Sequence, residues 1–196
     1  MKKRMVRLAL GVWLGLAAGA AGYVLLKTAY QGNDRVVLLN SGQAYTSLQD
    51  IIKQPVFRNK IIYVDVWGTT CPPCFLELKD HTPKLTQRYR QNENIAFLYL
   101  CIDRHPLPEV RWKSKIQELQ PAGYHALVEA TEEAKLANDI LGKSWQSKYV
   151  PYEPFYFIVD RRGKIVGQPI ANPDQGELRP SDGPRLYAKL DSLLRS

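Results

Sequence analysis

The stretch Ile61-Ile62-Tyr63-Val64-Asp65-Val66-Trp67-Gly68-Thr69-Thr70-Cys71-Pro72-Pro73-Cys74-Phe75-Leu76-Glu77-Leu78 reads as a strand, a tight turn and the start of a helix. Apart from Asp65, the run Ile61–Trp67 is β-branched or aromatic throughout, the pattern of a strand buried on both faces. Gly68, Thr69 and Thr70 supply the turn, and the Leu-, Glu- and Lys-containing residues after Cys74 suit a helix. Two cysteines therefore sit where a helix begins. The reactive form of a cysteine is its thiolate, and the unpaired amides and dipole of a helix N-terminus stabilise negative charge. Cys71 is the expected nucleophile.

The chain has 3 cysteines, Cys71, Cys74 and Cys101. An odd count with one close pair makes that pair a redox couple or half of a metal site, not part of a framework of structural bridges. Two residues between the sulfurs at a helix start bring them within disulfide range while leaving one accessible, which favours the redox reading over a static bridge. Pro72 fits the first helical turn, where its missing N–H would be unpaired anyway. Cys101 lies in the apolar run Ile95–Ile102 and reads as a small core residue. His81, His105 and His125 are scattered, with no spacing to the cysteines that forms a zinc cluster, and no metal or cofactor is expected.

Asp65 stands in mid-strand, where a charge is costly unless it has a task or a partner. Desolvation is expected to raise its pKa, which suits a general base that deprotonates Cys74, directly or through a water. An acid on a solvated face of the strand end is the alternative. Glu153-Pro154 immediately precedes the aromatic run Phe155–Val159, and an X-Pro bond at such a strand entrance is a candidate for the cis form.

Working outward, residues 36–40 read as a strand, Ser41-Gly42 as a turn and 44–46 as a returning strand, followed by Ser47 as N-cap of a helix to about Lys53. Beyond the cysteines a helix runs to about Tyr89, divided or kinked by Pro83, with Leu76, Leu85 and Tyr89 on its inner face. Ile95–Ile102 is a second fully buried strand, and buried runs separated by helices imply parallel pairing. A helix at 109–120, a strand at 124–128 and a helix at 132–141 follow. Phe155–Val159 and residues 164–166 form a hairpin with Gly163 at a position needing positive φ, and the last helix, 184–194, carries Leu186, Leu190 and Leu194 on one face.

At 196 residues, 45% hydrophobic and 23% charged, the chain suits one folded domain plus appendages. The net charge of +8 is no sign of nucleic acid: Lys2, Lys3, Arg4 and Arg7 account for half of it, and no basic run with interleaved aromatics follows. Those four cations (residues 1–7, read as a cytoplasmic N-terminus) precede an uncharged segment, residues 8–26, long enough as a helix to span a membrane of about 30 Å. Basic residues before the span keep the N-terminus in the cytoplasm and send the rest across. The apolar run continues through Tyr23-Val24-Leu25-Leu26, which favours an uncleaved anchor; the alternative is a signal peptide cut after Ala20. Residues 27–35 then form a linker and 36–196 the domain.

Val64 to Cys74, with its Asp65, Trp67 and Cys-Pro-Pro-Cys, resembles the active-site signature of the thioredoxin superfamily. Cys-Pro-Pro-Cys with Glu77, the 42–48 segment and Pro154 to Asp160 with Gly163 resemble its membrane-anchored TlpA/ResA-like branch. The resemblance implies an α/β thioredoxin fold, a central mixed sheet flanked by helices with an N-terminal hairpin and helix. It implies that Cys71 attacks, Cys74 resolves, Asp65 is the buried acid, Trp67 packs beside the site and Pro154 is cis. Substrate would meet Pro154, Glu153, Trp67, Thr70, Pro72 and Pro73, with Tyr149 and Tyr152 as possible groove residues. Two departures stand out: Thr70 replaces the usual aromatic before the first cysteine, and Glu153 precedes the proline. A carboxylate close to Cys71 opposes its thiolate, which argues against a strong oxidant. The expected protein is thus a single-pass bacterial inner-membrane reductase whose domain faces the periplasm. It would act on disulfides and thiols of exported proteins, supplied by a membrane electron donor. An oxidant of exported thiols, or a copper(I)-binding CxxC module, is the alternative.

Overall fold

The computed structural model describes residues 30–39, 45, 47–103, 105–128, 135, 139–140, 154–166 and 178–196. Within them the strands are β1 (Val36–Leu38), β2 (Ile61–Trp67), β3 (Ile95–Ile102), β4 (Gly123–Val128), β5 (Phe155–Val159) and β6 (Ile165–Val166). The helices are α1 (Leu48–Ile52), α2 (Pro72–Leu76), α3 (Thr82–Tyr89), α4 (Pro108–Leu119) and α5 (Pro184–Arg195). One mixed sheet carries the order β1-β4-β3-β2-β5-β6. The pairs β1–β4, β4–β3 and β3–β2 are parallel, whereas β5 runs antiparallel to both β2 and β6.

The two uninterrupted apolar runs, β2 and β3, form the centre of the sheet, and every residue of both is buried. Helices cover them on either side. One face packs Tyr63, Trp67, Tyr99 and Cys101 against Leu78, Leu85, Trp112, Ile116, Leu186 and Leu190; the other packs Ile62, Val64, Val66, Leu98 and Leu100 against Leu48, Ile51 and Phe57. Ser47 caps α1, its Oγ accepting from the Asp50 N–H at 3.1 Å, as its position before the apolar run requires. The β5–β6 hairpin closes at residues 160–164, where Gly163 has φ 79° and its N–H donates to the Asp160 carbonyl at 3.0 Å. Arg161 in that turn donates to the Leu193 and Leu194 carbonyls at 3.1 and 3.2 Å, placing a cation on the C-terminal end of α5.

Two expectations need correction. Among the described residues the N-terminal segments pair with β4 and not with each other: β1 lies parallel to the start of β4, and Tyr45 bridges Val128 at its far end, also parallel. Both segments thus follow the free edge of β4 in one direction, satisfying its backbone groups. The second concerns Leu76, which is 61% exposed. Cys74 and Leu78 take the inner face of the helical run, and Leu76, two residues from each, points the opposite way. The expected break at Pro83 is present as a five-residue π turn, Glu77–His81, between α2 and α3. Proline has no N–H and its ring collides with the carbonyl four residues back, so the widened turn, in which Thr82 N–H bonds the Glu77 carbonyl, absorbs it. The apolar segment 8–26, the 41–42 turn, most of 132–141, Glu153, Tyr149 and Tyr152 lie outside the described residues. Among the described residues no helix is long and apolar enough to cross a membrane.

His125 on β4 is fully buried, stacked on Tyr99 at 4.7 Å, with Nε2 bonded to the Pro121 carbonyl at 2.8 Å. Burial lowers its pKa from 6.5 to about 4, against the smaller opposing pull of that hydrogen bond. The unfolded chain takes up a proton below pH 6.5 that the folded chain refuses, so stability is lost as pH falls from about 6.5 to about 4, by about 3 kcal/mol in total. Urea midpoints at stepped pH should show this slope in the parent protein and a flatter one in His125→Phe; equal slopes would contradict the assignment.

Candidate active site

The site grows from the C-terminal end of β2. Beyond Trp67 the chain turns back through residues 68–71, closed by the Cys71 N–H on the Gly68 carbonyl at 3.2 Å. Thr69, 3% exposed, is the anchor of this turn. Its hydroxyl donates to the Asp103 carboxylate at the end of β3, and Arg111 of α4 donates to that same hydroxyl oxygen at 3.0 Å and to the Thr69 carbonyl at 3.5 Å. Arg111 also pairs with Asp103 at 3.4 Å. A charge-supported clamp from two other elements therefore fixes the backbone two residues before Cys71.

Cys71 occupies the N-cap of α2 and is bridged to Cys74, with Cα atoms 5.3 Å apart. Its sulfur accepts the Cys74 N–H at 3.2 Å, filling the position that a capping oxygen usually takes. After reduction that N–H would stabilise a Cys71 thiolate more than a thiol, because hydrogen bonds to charged acceptors are the stronger ones. Cys71 retains 8% exposure and Cys74 only 1%, whereas Thr70, Pro72 and Pro73 around them are exposed. Trp67 is 1% exposed in the same cluster as both cysteines. It supports the dithiol from below, so the expectation that it faces substrate is corrected: the tight turn carries the chain outward only after Trp67.

Asp65 is 1% exposed. By strand alternation it shares a face with Tyr63 and Trp67, the face that the cysteine-bearing helix covers. In register it lies between Tyr99 of β3 and Tyr156 of β5. Burial first, then neighbouring charge that includes Asp65, holds the hydroxyls of Tyr63, Tyr99 and Tyr156 far above the ordinary tyrosine range. Val66 faces Phe155 across the β2–β5 pair, so the half-buried Pro154 falls level with Trp67, at the sheet edge where the cysteine turn begins.

Glu77, three residues after Cys74, is 8% exposed in the π turn. Its carboxylate accepts from the Ser181 N–H at 3.0 Å and the Ser181 hydroxyl at 2.5 Å, clasping a 3₁₀ turn, Pro180–Asp182, to the active-site helix. The Thr69–Asp103–Arg111 clamp and this clasp were not anticipated. The one local signal was Asp103 closing an apolar strand, and nothing in the sequence names its partners. Cys101 is fully buried in the core cluster, as expected of a core residue. Among the described residues no group of three or more His, Cys, Asp or Glu is placed to hold a metal ion.

A dithiol at a helix start, presented by a clamped turn at the C-terminal end of a central strand, is the arrangement of a thiol–disulfide oxidoreductase with the thioredoxin fold. Its similarity to solved structures agrees. A Bacteroides vulgatus protein assigned as a thiol–disulfide oxidoreductase shares 28% identity and a TM-score of 0.51 over 70% of this chain and 76% of its own. A Bacteroides fragilis thiol–disulfide oxidoreductase, 19% identical with a TM-score of 0.50, covers 72% of this chain and 87% of its own, and shows the same fold. So does the C-terminal domain of a Bacteroides thetaiotaomicron protein, 15% identical with a TM-score of 0.51 over 74% of this chain and 83% of that domain. No family model and no curated protein matches the chain.

Proposed function

We propose that this oxidoreductase reduces disulfides of exported proteins on the periplasmic side of a bacterial inner membrane, held there by residues 8–26. The observation that carries the reading is the Cys71–Cys74 pair at the start of a helical run, over a buried carboxylate on the adjoining strand. The four cations before an uncharged 19-residue segment support the membrane placement. Cys71 thiolate attacks a substrate disulfide, one substrate sulfur leaves as thiolate, and a mixed disulfide remains. Cys74 gives its proton to Asp65 and attacks the Cys71 sulfur, so the second substrate thiolate leaves and the Cys71–Cys74 bond re-forms. The substrate gains two electrons and the protein loses two, which a membrane-bound donor then restores. Exposed Thr70, Pro72 and Pro73, with Pro154 opposite and Glu153 beside it in sequence, make up the surface that a substrate chain meets.

The sequence favours reduction over oxidation: Glu153 adjoins Pro154, and a carboxylate near Cys71 would work against the highly acidic thiol that a strong oxidant needs. Equilibrating Cys71 and Cys74 with thiol–disulfide buffers tests the direction. A reduction potential near about −270 mV is expected, and a value near about −120 mV would overturn the reductase reading.

A further inference from the structure

Resolution of the mixed disulfide releases a proton on the buried side of the dithiol, and a second group of polar atoms lies beneath the same helix. Tyr156 faces Asp65 directly across the β2–β5 pair, so their side chains leave the sheet on one face. Tyr156 is 4% exposed, and its hydroxyl has no hydrogen-bond partner among the described residues. Asp182 Oδ2 is buried and equally without a partner among them. Asp182 as a whole is only half-buried, at the end of the 3₁₀ turn that Ser181 fastens to Glu77, so it reaches from the interior to the surface. Among the described residues, the charged groups whose fields reach the Tyr156 hydroxyl are Asp65 from β2, Glu77 from the π turn, and Arg179 and Asp182 from the C-terminal segment, and the Tyr63 ring stacks on that of Tyr156.

Resting on the proposed role of Asp65 as base, we propose that Tyr156 and Asp182 form the route by which the proton taken from Cys74 leaves the protein. A buried hydroxyl and a buried carboxylate oxygen are costly to leave unbonded, and in this route internal water between them relieves that cost. The proton passes from the Cys74 thiol to the Asp65 carboxylate and on to the Tyr156 hydroxyl. Tyr156 gives its own proton towards Asp182, which releases it to solvent. Meanwhile the Cys74 thiolate attacks Cys71, and the bond to the substrate sulfur breaks with its electron pair leaving on that sulfur. Burial and the surrounding carboxylates keep the Tyr156 hydroxyl neutral, so it relays by exchange and never carries a charge. Tyr156 and Asp182 act through Asp65 and are positioning residues.

The reduced full-length protein reacting with dithiobis(nitrobenzoate) separates the steps, since attack by Cys71 releases the first aromatic thiolate and resolution by Cys74 the second. Tyr156→Phe and Asp182→Asn should each slow the second release roughly tenfold or more and shift its pH profile, with the first release unchanged. In an Asp65→Asn background neither should slow it further. A wild-type rate and pH profile for the second release in either variant, or full additivity with Asp65→Asn, overturns the route. Asp182→Asn alters a half-buried side chain at a turn, so it carries the test if Tyr156→Phe fails to fold. A first release that survives in Cys71→Ser overturns the site and the route together, which separates the two failures.

Discussion

Cys71→Ser is expected to abolish disulfide reduction, with a loss of about a thousandfold or more against insulin, because a serine hydroxyl is not ionised at neutral pH and forms no mixed disulfide. Cys74→Ser should behave differently. Its Cys71 still attacks, but with nothing to resolve the adduct the substrate stays attached, and mass spectrometry of the purified protein should find it linked through Cys71. The contrast follows from the geometry. Cys71 keeps the greater exposure and accepts the N–H at the helix start, whereas Cys74 is almost fully covered. Adducts recovered on Cys74 in Cys71→Ser, with none on Cys71 in Cys74→Ser, would reverse the roles. Proteins trapped on Cys74→Ser in cells would also report the substrate class.

The second large effect is expected at Asp65. Asp65→Asn keeps the shape of the side chain and removes its proton-accepting power, so resolution by Cys74 should slow about a hundredfold near neutral pH. The first attack, which depends on Cys71, should change far less. Cys74 is 1% exposed, too little for bulk water to serve as its base, and Asp65 lies on the strand face that its helix covers. A second release as fast as in the parent protein, with an unaltered pH profile, would remove Asp65 from the mechanism.

Most of the architecture could be read locally. Ile61–Trp67 and Ile95–Ile102 are continuous apolar runs, and such a run is stable only with a layer on each side, which predicts central strands between helices. Ser47, Pro72 and Gly163 act within one turn of their own positions, so the cap, the helix start and the hairpin were legible. The N-terminal hairpin was misread because local turn residues say that a chain can bend, not which edge it pairs with. The open edge of β4 accepts both Val36–Leu38 and Tyr45. Leu76 was misread because an apolar residue near a helix start was assigned to a face before the cysteines had fixed the rotation of that helix.

The dithiol shows the same division. The spacing of Cys71 and Cys74, the helix that follows and the acid inside the preceding strand belong to one stretch of 18 residues, where covalent connection and local backbone preference set the geometry. That stretch by itself determined a redox site on a buried strand. The partners that hold it come from far along the chain: Asp103 and Arg111 on Thr69 across 34 and 42 residues, Ser181 on Glu77 across 104, and Tyr156 opposite Asp65 by strand register. Only the tertiary structure decided these, because a hydrogen bond between distant residues depends on how the sheet and helices pack and leaves no periodic trace in the sequence around either partner.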